Sequence, residues 1–146
     1  MKKITLTDKR KNNYYYNEAI KTLRTNIQLS GQSIKTILIT SCFPNEGKSD
    51  VVLSLAQELG SIGKKVLLLD ADIRKTAYVG RLGVEEEVRG LSQFLSGQAN
   101  INDIIYETNF ENMDIIFGGP SAPNPSGLLS ENLSLIHISE PTRQEA

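Results

Sequence analysis

An α/β fold built on a parallel sheet is the class the sequence predicts, and three observations carry it. Two short runs, residues 36–41 (TILITS) and 65–70 (KVLLLD), are continuous, apolar and rich in β-branched residues or leucine, as in strands buried on both faces of a parallel sheet. Between them, residues 48–61 (KSDVVLSLAQELGS) place Val51, Val52, Leu55, Ala56 and Leu59 at the spacing of a helix packed on a sheet, with Gly60 and Gly63 to end it. The second run stops abruptly in charge, at Asp70, Asp72 and Arg74. Charge at the carboxyl end of a strand marks the edge where open α/β sheets hold their ligands.

The remaining elements follow from local pattern. Residues 1–13 carry Lys2, Lys3, Lys9, Arg10 and Lys11 with little apolar content, which predicts a mobile arm. From Tyr16 the spacing changes: Tyr16, Ile20, Leu23 and Ile27 recur at intervals of four, three and four, one face of a helix that Gly31 ends. Tyr14, Tyr15 and Tyr16 are read as aromatic residues packing the entry to that helix. Short helices are expected near 91–95 and 101–106, a third strand at 113–117, a loop over 118–124, and a further helix opened by Pro125 and Ser126.

Composition narrows the function classes. The chain has 146 residues, enough for one domain or part of one, with 39% hydrophobic and 23% charged residues. Sixteen basic against seventeen acidic residues give a net charge of −1, without the basic excess of a protein held by nucleic-acid phosphates. The single cysteine, Cys42, cannot close an intrachain disulfide, and no Cys/His cluster has zinc-ligand spacing. This fits a reducing cytoplasm. The apolar runs are far short of a membrane-spanning helix, and the basic start Met1-Lys2-Lys3 has no apolar segment behind it to make a secretory signal.

The chemistry-bearing segment is Ser41-Cys42-Phe43-Pro44-Asn45-Glu46-Gly47-Lys48-Ser49, between the first predicted strand and its helix. A loop there can turn successive backbone N–H groups inward and add the positive end of the helix dipole, a cradle for a polyphosphate. In such a phosphate loop, or P-loop, Gly47 lets the backbone approach, Lys48 places a charge on the β- and γ-phosphates, and the Ser49 hydroxyl ligates magnesium. The first glycine of the common G-x4-G-K-[ST] pattern is Cys42 here. Asp70 and Asp72 alternate along an extended segment and can face one metal ion from the strand's end.

Together these residues resemble the bacterial tyrosine kinases of capsular and exopolysaccharide synthesis, within the deviant-Walker relatives of partition ATPases. The likeness runs over roughly residues 16–129. Pro44-Asn45-Glu46-Gly47-Lys48-Ser49 is similar to that family's Walker A motif. Leu67-Leu68-Leu69-Asp70-Ala71-Asp72-Ile73-Arg74 is similar to its more specific Walker A′ motif. Residues 18–26 resemble its E-x2-R-x2-R oligomerisation element, with Glu18, Lys21 and Arg24 in the charged positions, and residues 119–129 (GPSAPNPSGLL) resemble its PNPSELL region.

The resemblance implies a P-loop NTPase three-layer fold and ATP-dependent phosphorylation of tyrosine. Asn45, Glu46, Gly47, Lys48, Ser49 and Asp50 would bind the nucleotide; Lys48, Asp70 and Asp72 would be catalytic; Ser49, Asp70 and Asp72 would hold Mg2+. It further implies a homo-oligomeric ring, tyrosine-containing protein substrates, a separate transmembrane activator and cytoplasmic placement at the membrane. A partition-type ATPase and a catalytically weak nucleotide-dependent oligomerisation module are the alternatives.

Three departures shape the expectation. Asp50 stands where the family has threonine, and a carboxylate about 4 Å from a phosphate costs roughly 1 to 4 kcal/mol between water-like and protein-surface dielectrics. Weakened nucleotide affinity is therefore expected. The family's Walker B segment and its C-terminal tyrosine cluster have no counterpart in the chain. Residues 133–143 resemble the translated read-through of a sequencing-library adapter, the alternative being a terminal strand for which Leu133, Leu135 and Ile138 have the spacing. The expected organisation is thus a flexible arm over 1–15, an incomplete nucleotide-binding domain over 16–132 and an adapter-derived segment over 133–146. A sheet lacking a strand would expose backbone groups and apolar surface, so an inactive, aggregation-prone chain is expected.

Overall fold

The computed structural model describes residues 1–31, 33–40, 47–71, 77–119 and 133–139. Its elements in chain order are β1 (Lys2–Ile4), α1 (Tyr14–Ser30), β2 (Thr36–Thr40), α2 (Lys48–Ser61), β3 (Lys65–Asp70), α3 (Ala77–Arg81), α4 (Leu91–Leu95), α5 (Ile101–Ile104), β4 (Ile105–Thr108), β5 (Met113–Ile116) and β6 (Leu133–Ser139). The strands form one sheet in the order β1-β4-β5-β3-β6-β2.

The sheet is mixed rather than all parallel. β3 and β5 pair in parallel, as do β1 and β4, whereas β4 runs antiparallel to β5 and β6 runs antiparallel to both β3 and β2. Residues 133–139, expected to lie outside the folded unit, are seated as a strand between β2 and β3, with Ile136 fully buried. Pairing of this kind uses backbone groups that every extended segment carries, so alternating apolar residues suffice to occupy the place.

One core joins the sheet to α2. Along β3 the burial alternates, with Val66, Leu68 and Asp70 inward. Val52, Leu53, Leu55, Ala56 and Leu59 of α2 meet Val66, Leu68, Met113, Ile115 and Ile136 of the sheet, and α1 packs on α2 in turn. The expectation that residues 36–41 are buried on both faces differs from the structure: Leu38 is 55% exposed, because β2 lies at the sheet's edge and alternates its side chains between two faces. Gly60 belongs to α2 rather than ending it. The turn after β4 crosses so close to it that a Cβ there would lie 2.1 Å from the Glu111 carbonyl oxygen.

The amino-terminal segment is docked rather than loose. Lys2–Ile4 pair with β4, Leu6 is 2% exposed, and Asn109 clamps the Leu6 backbone by donating to its C=O and accepting from its N–H. Arg10 then reaches α2, donating to the Asp50 carbonyl, the Ser54 hydroxyl and the Gln57 side chain while pairing with Asp8 at 2.7 Å. The charge run that suggested a solvated arm hides these tertiary partners. α1 starts at Tyr14, where the Asn13 side chain caps it by accepting from the Tyr16 N–H. The helix expected over 101–106 stops at Ile104 and continues as β4, and the helix expected at Pro125-Ser126 falls outside the described residues.

Two outcomes test this packing. Gly60→Ala is expected to lower stability by about 1 to 3 kcal/mol through overpacking, read as a lower urea midpoint. Arg10 holds the Asp8 carboxyl at a pKa of about 2, below its ordinary 3.8. A depressed folded pKa gives stability that is present above the unfolded value and lost as pH falls toward 2. The stability gap between the native chain and Asp8→Asn should therefore narrow on acidification from about pH 5 to about pH 2.

Candidate nucleotide site

Three strand ends meet at one edge of the sheet. β2 and β3 each run antiparallel to β6 and so run parallel to one another, with Thr40 opposite Leu133 and Asp70 opposite Ser134. At ladder spacings near 4.8 Å, the carboxyl ends of β2 and β3 stand about 10 Å apart. β5 points the same way, and its exit through Phe117, Gly118 and Gly119 is tied to α4 by the Leu91 and Ser92 N–H groups, which donate to the Phe117 and Gly118 carbonyls at 2.8 and 3.0 Å. Gly90 and Gly119 touch closely here. A Cβ on Gly90 would lie 2.3 Å from the Gly119 nitrogen.

α2 begins at this edge. Gly47 precedes it with φ of 75°, a left-handed conformation that favours glycine, and space for 4 Å around its missing Cβ is open. The first helical bond runs from the Val51 N–H to the Gly47 C=O at 3.1 Å. Gly47 offers no side chain to cap the helix, whose start carries the positive end of its dipole. Lys48, Ser49 and Asp50 form the first turn and are half-buried. Asp70 is 1% exposed at the tip of β3. Gly47, Lys48, Ser49 and Asp70 thus lie along one edge, whereas Asn45, Glu46, Asp72 and Arg74 fall outside the described residues.

The surroundings of Asp50 change the electrostatic expectation. Its carboxylate pairs with Arg81 at 2.5 Å, and its carbonyl accepts from Arg10 at 2.9 Å. Tyr78, 1% exposed, donates its hydroxyl to the Ser49 carbonyl at 3.0 Å. Arg10, Tyr78 and Arg81 brace the first turn of α2, and none was singled out for this role from sequence. α3 is a five-residue helix with no periodicity to read, and the Arg10 partners on α2 lie 40 or more positions away.

The residues expected to mediate assembly divide. Glu18 and Lys21 pair with each other at 3.7 Å and are about half exposed. Arg24 turns inward to an ion pair with Glu58 of α2. Beside them a cleft of about 640 Å³ opens between the amino-terminal segment and the α1/α2 pair, lined by Arg10, Lys11, Asn13, Tyr16, Asp50 and Glu58 among others.

Known proteins share this fold. Residues 34–124 match the AAA domain family model. The chain belongs to that family. It is 40% identical over 115 residues to the tyrosine-protein kinase CpsD of Streptococcus pneumoniae serotype 4, which covers 79% of this chain and 49% of CpsD. The chain spans about half the length of the curated CpsD relatives it matches. The solved kinase domain of the Escherichia coli tyrosine kinase ETK superposes with a TM-score of 0.69 at 34% identity, over 79% of this chain and 46% of that one. The septum site-determining protein MinD of Pyrococcus horikoshii, solved with Mg-ADP, gives a TM-score of 0.54 at 32% identity over 62% of this chain and 38% of that one. The fold is therefore that of a P-loop nucleotide-binding AAA domain. No helix of the described residues is long and apolar enough to cross a membrane.

Because Arg81 offsets the Asp50 charge, removing Arg81 should expose it. Arg81→Ala is expected to weaken MgATP binding up to about fivefold, the scale of an exposed ion pair, and to have no effect in an Asp50→Thr background. Calorimetric titration of the four variants checks the coupling.

Proposed function

We propose that the chain is the nucleotide-binding part of an ATP-dependent protein-tyrosine kinase that regulates capsular or exopolysaccharide synthesis. The observation that carries this is the meeting of the α2 first turn with the buried Asp70 at one sheet edge, in a chain whose relatives are named tyrosine-protein kinases. The residues fit MgATP. An α2 start without a side-chain cap suits phosphate oxygens, and a carboxylate at a strand tip suits magnesium, which prefers one or two carboxylates beside phosphate and water.

In this reading Gly47 lets the loop backbone approach the phosphates and Lys48 places its charge on the β- and γ-oxygens. Asn45 and Glu46 complete the loop, and Asp50 lies near the α-phosphate with its charge taken up by Arg81. Ser49, Asp70 and Asp72 would hold Mg2+, which when bound would supply positive charge against the phosphate oxygens. Asp70 or Asp72 accepts the proton of the incoming phenol. Phosphoryl transfer demands alignment and charge cancellation more than covalent catalysis, and these residues supply both.

The exposed Glu18 and Lys21 on α1 are the surface for a neighbouring copy in a ring, while Arg24 fixes α1 to α2 so that this surface moves with the nucleotide site. Tyrosine-bearing proteins are the substrates, and a transmembrane activator recruits the protein to the cytoplasmic membrane face. A partition-type ATPase is the second reading, favoured by the likeness to MinD.

Calorimetry with ATP and Mg2+, followed by phosphotyrosine detection, tests the proposal. Lys48→Ala should weaken MgATP binding about 10- to 100-fold, the worth of charge-assisted hydrogen bonds, and abolish phosphotyrosine. Hydrolysis of ATP with no phosphotyrosine would move the protein to the partition-type class. No binding of MgATP at all would overturn both readings.

A further inference from the structure

The chain contains five tyrosines, and the fold treats them unequally. Tyr78 and Tyr106 are 1% and 5% exposed; the first donates to the Ser49 carbonyl and the second accepts from the Arg89 N–H at 2.9 Å. Tyr16 is half-buried, its hydroxyl accepting from Ser54 of α2 at 3.4 Å. Tyr14 and Tyr15 differ from all three. They are 71% and 83% exposed, and their rings meet edge to face with centroids 5.6 Å apart. Apolar ring surface of this extent is held out in solvent, where packing against the core does not explain it.

We propose that Tyr14 and Tyr15 are phosphate-accepting sites of this chain, modified by a second kinase molecule while Tyr16, Tyr78 and Tyr106 are spared. The proposal rests on the tyrosine-kinase reading for the source of the phosphate, but the sites themselves rest on exposure and charge. A phenol can be phosphorylated only if its oxygen can stand in line with the γ-phosphorus of ATP in another molecule's site, which the buried hydroxyls cannot do. In the reaction the tyrosine Oη forms a bond to the γ-phosphorus. The bond from that phosphorus to the β–γ bridging oxygen breaks, its electron pair leaves on ADP, and the phenol proton passes to a carboxylate or water.

The local electrostatics favour the product. Tyr14 and Tyr15 are the first two residues of a 17-residue helix whose first turn holds no acidic residue, so the positive end of its dipole carries no carboxylate. Lys9, Arg10 and Lys11 precede it in the chain. Each phosphate adds about −1.5 to −2 charges near that end, a placement that stabilises a helix. Glu18 lies one turn further on, so the same charge also bears on the exposed Glu18/Lys21 pair of α1.

The test incubates the whole chain with MgATP, alone and with active CpsD of Streptococcus pneumoniae whose activity is verified on a random Glu/Tyr polymer, and maps phosphotyrosine by mass spectrometry. Phosphate on Tyr14 or Tyr15 with Tyr16, Tyr78 and Tyr106 unmodified is the expected result. It should be lost in a Tyr14→Phe/Tyr15→Phe double variant with unchanged thermal unfolding. Modification only when CpsD is added supports the acceptor sites while the chain's own kinase activity fails. Phosphate confined to Tyr16, Tyr78 or Tyr106, or absent despite active CpsD, overturns the acceptor sites; in the first case, label formed without CpsD leaves the kinase reading standing.

Discussion

Everything at the nucleotide edge depends on how the first turn of α2 is held. A helix start that must present its N–H groups to a ligand cannot be capped by its own side chains, so its orientation has to be fixed from outside. Here that is done through the carbonyls and the one carboxylate of the turn. Tyr78 holds the Ser49 carbonyl, Arg10 holds the Asp50 carbonyl, and Arg81 holds the Asp50 side chain. The arrangement also offsets the charge of an aspartate in the first turn of α2, since two guanidinium groups stand against it.

The same bracing ties distant parts of the chain to the site. Arg10 belongs to a segment anchored at β4 by Ile4 and Leu6, and it contacts α2 along more than one turn, from Asp50 to Gln57. Arg24 joins α1 to α2 through Glu58. Displacing either α1 or the amino-terminal segment therefore strains the helix that carries Lys48 and Ser49. The exposed face of α1 and the first turn of α2 are thereby joined through one rigid element, which is the physical requirement for either to influence the other.

Elements with their own periodicity were legible in the sequence. Residues 48–61, 65–70 and 91–95 stand where the apolar spacing put them, and the strand at 113–116 begins at Met113 as expected. β1, β4 and α3 were not legible, for a common reason: each has three to five residues, too few for a period. β1 exposes two of its three residues, so only Ile4 and the following Leu6 carried any apolar signal. At the candidate site, the run Gly47-Lys48-Ser49-Asp50 stood out because these residue types have few other reasons to occur in that order between a strand and a helix. The braces were invisible because arginine and tyrosine in ordinary contexts announce nothing. The tyrosine run was half legible: periodicity assigned Tyr16 to the buried face of α1, but only the helix start at Tyr14 decides that its two neighbours point outward.

The dimensions of this edge depend on what fills the place between β2 and β3. Two strands that run the same way with a gap of one strand between them leave a double row of backbone donors and acceptors to satisfy. β6 satisfies both rows from the opposite direction, in register over five residues of β2 and six of β3. The backbone ladder is blind to side-chain identity, and the selection that remains is alternation: Ile136 and Ile138 face the core, His137 faces solvent. Any extended segment with that alternation meets the requirement, in either direction. What the site needs from the strand is only that it keep the ends of β2 and β3 level and one strand apart, so that the start of α2 and the carboxylate of Asp70 remain on the same edge.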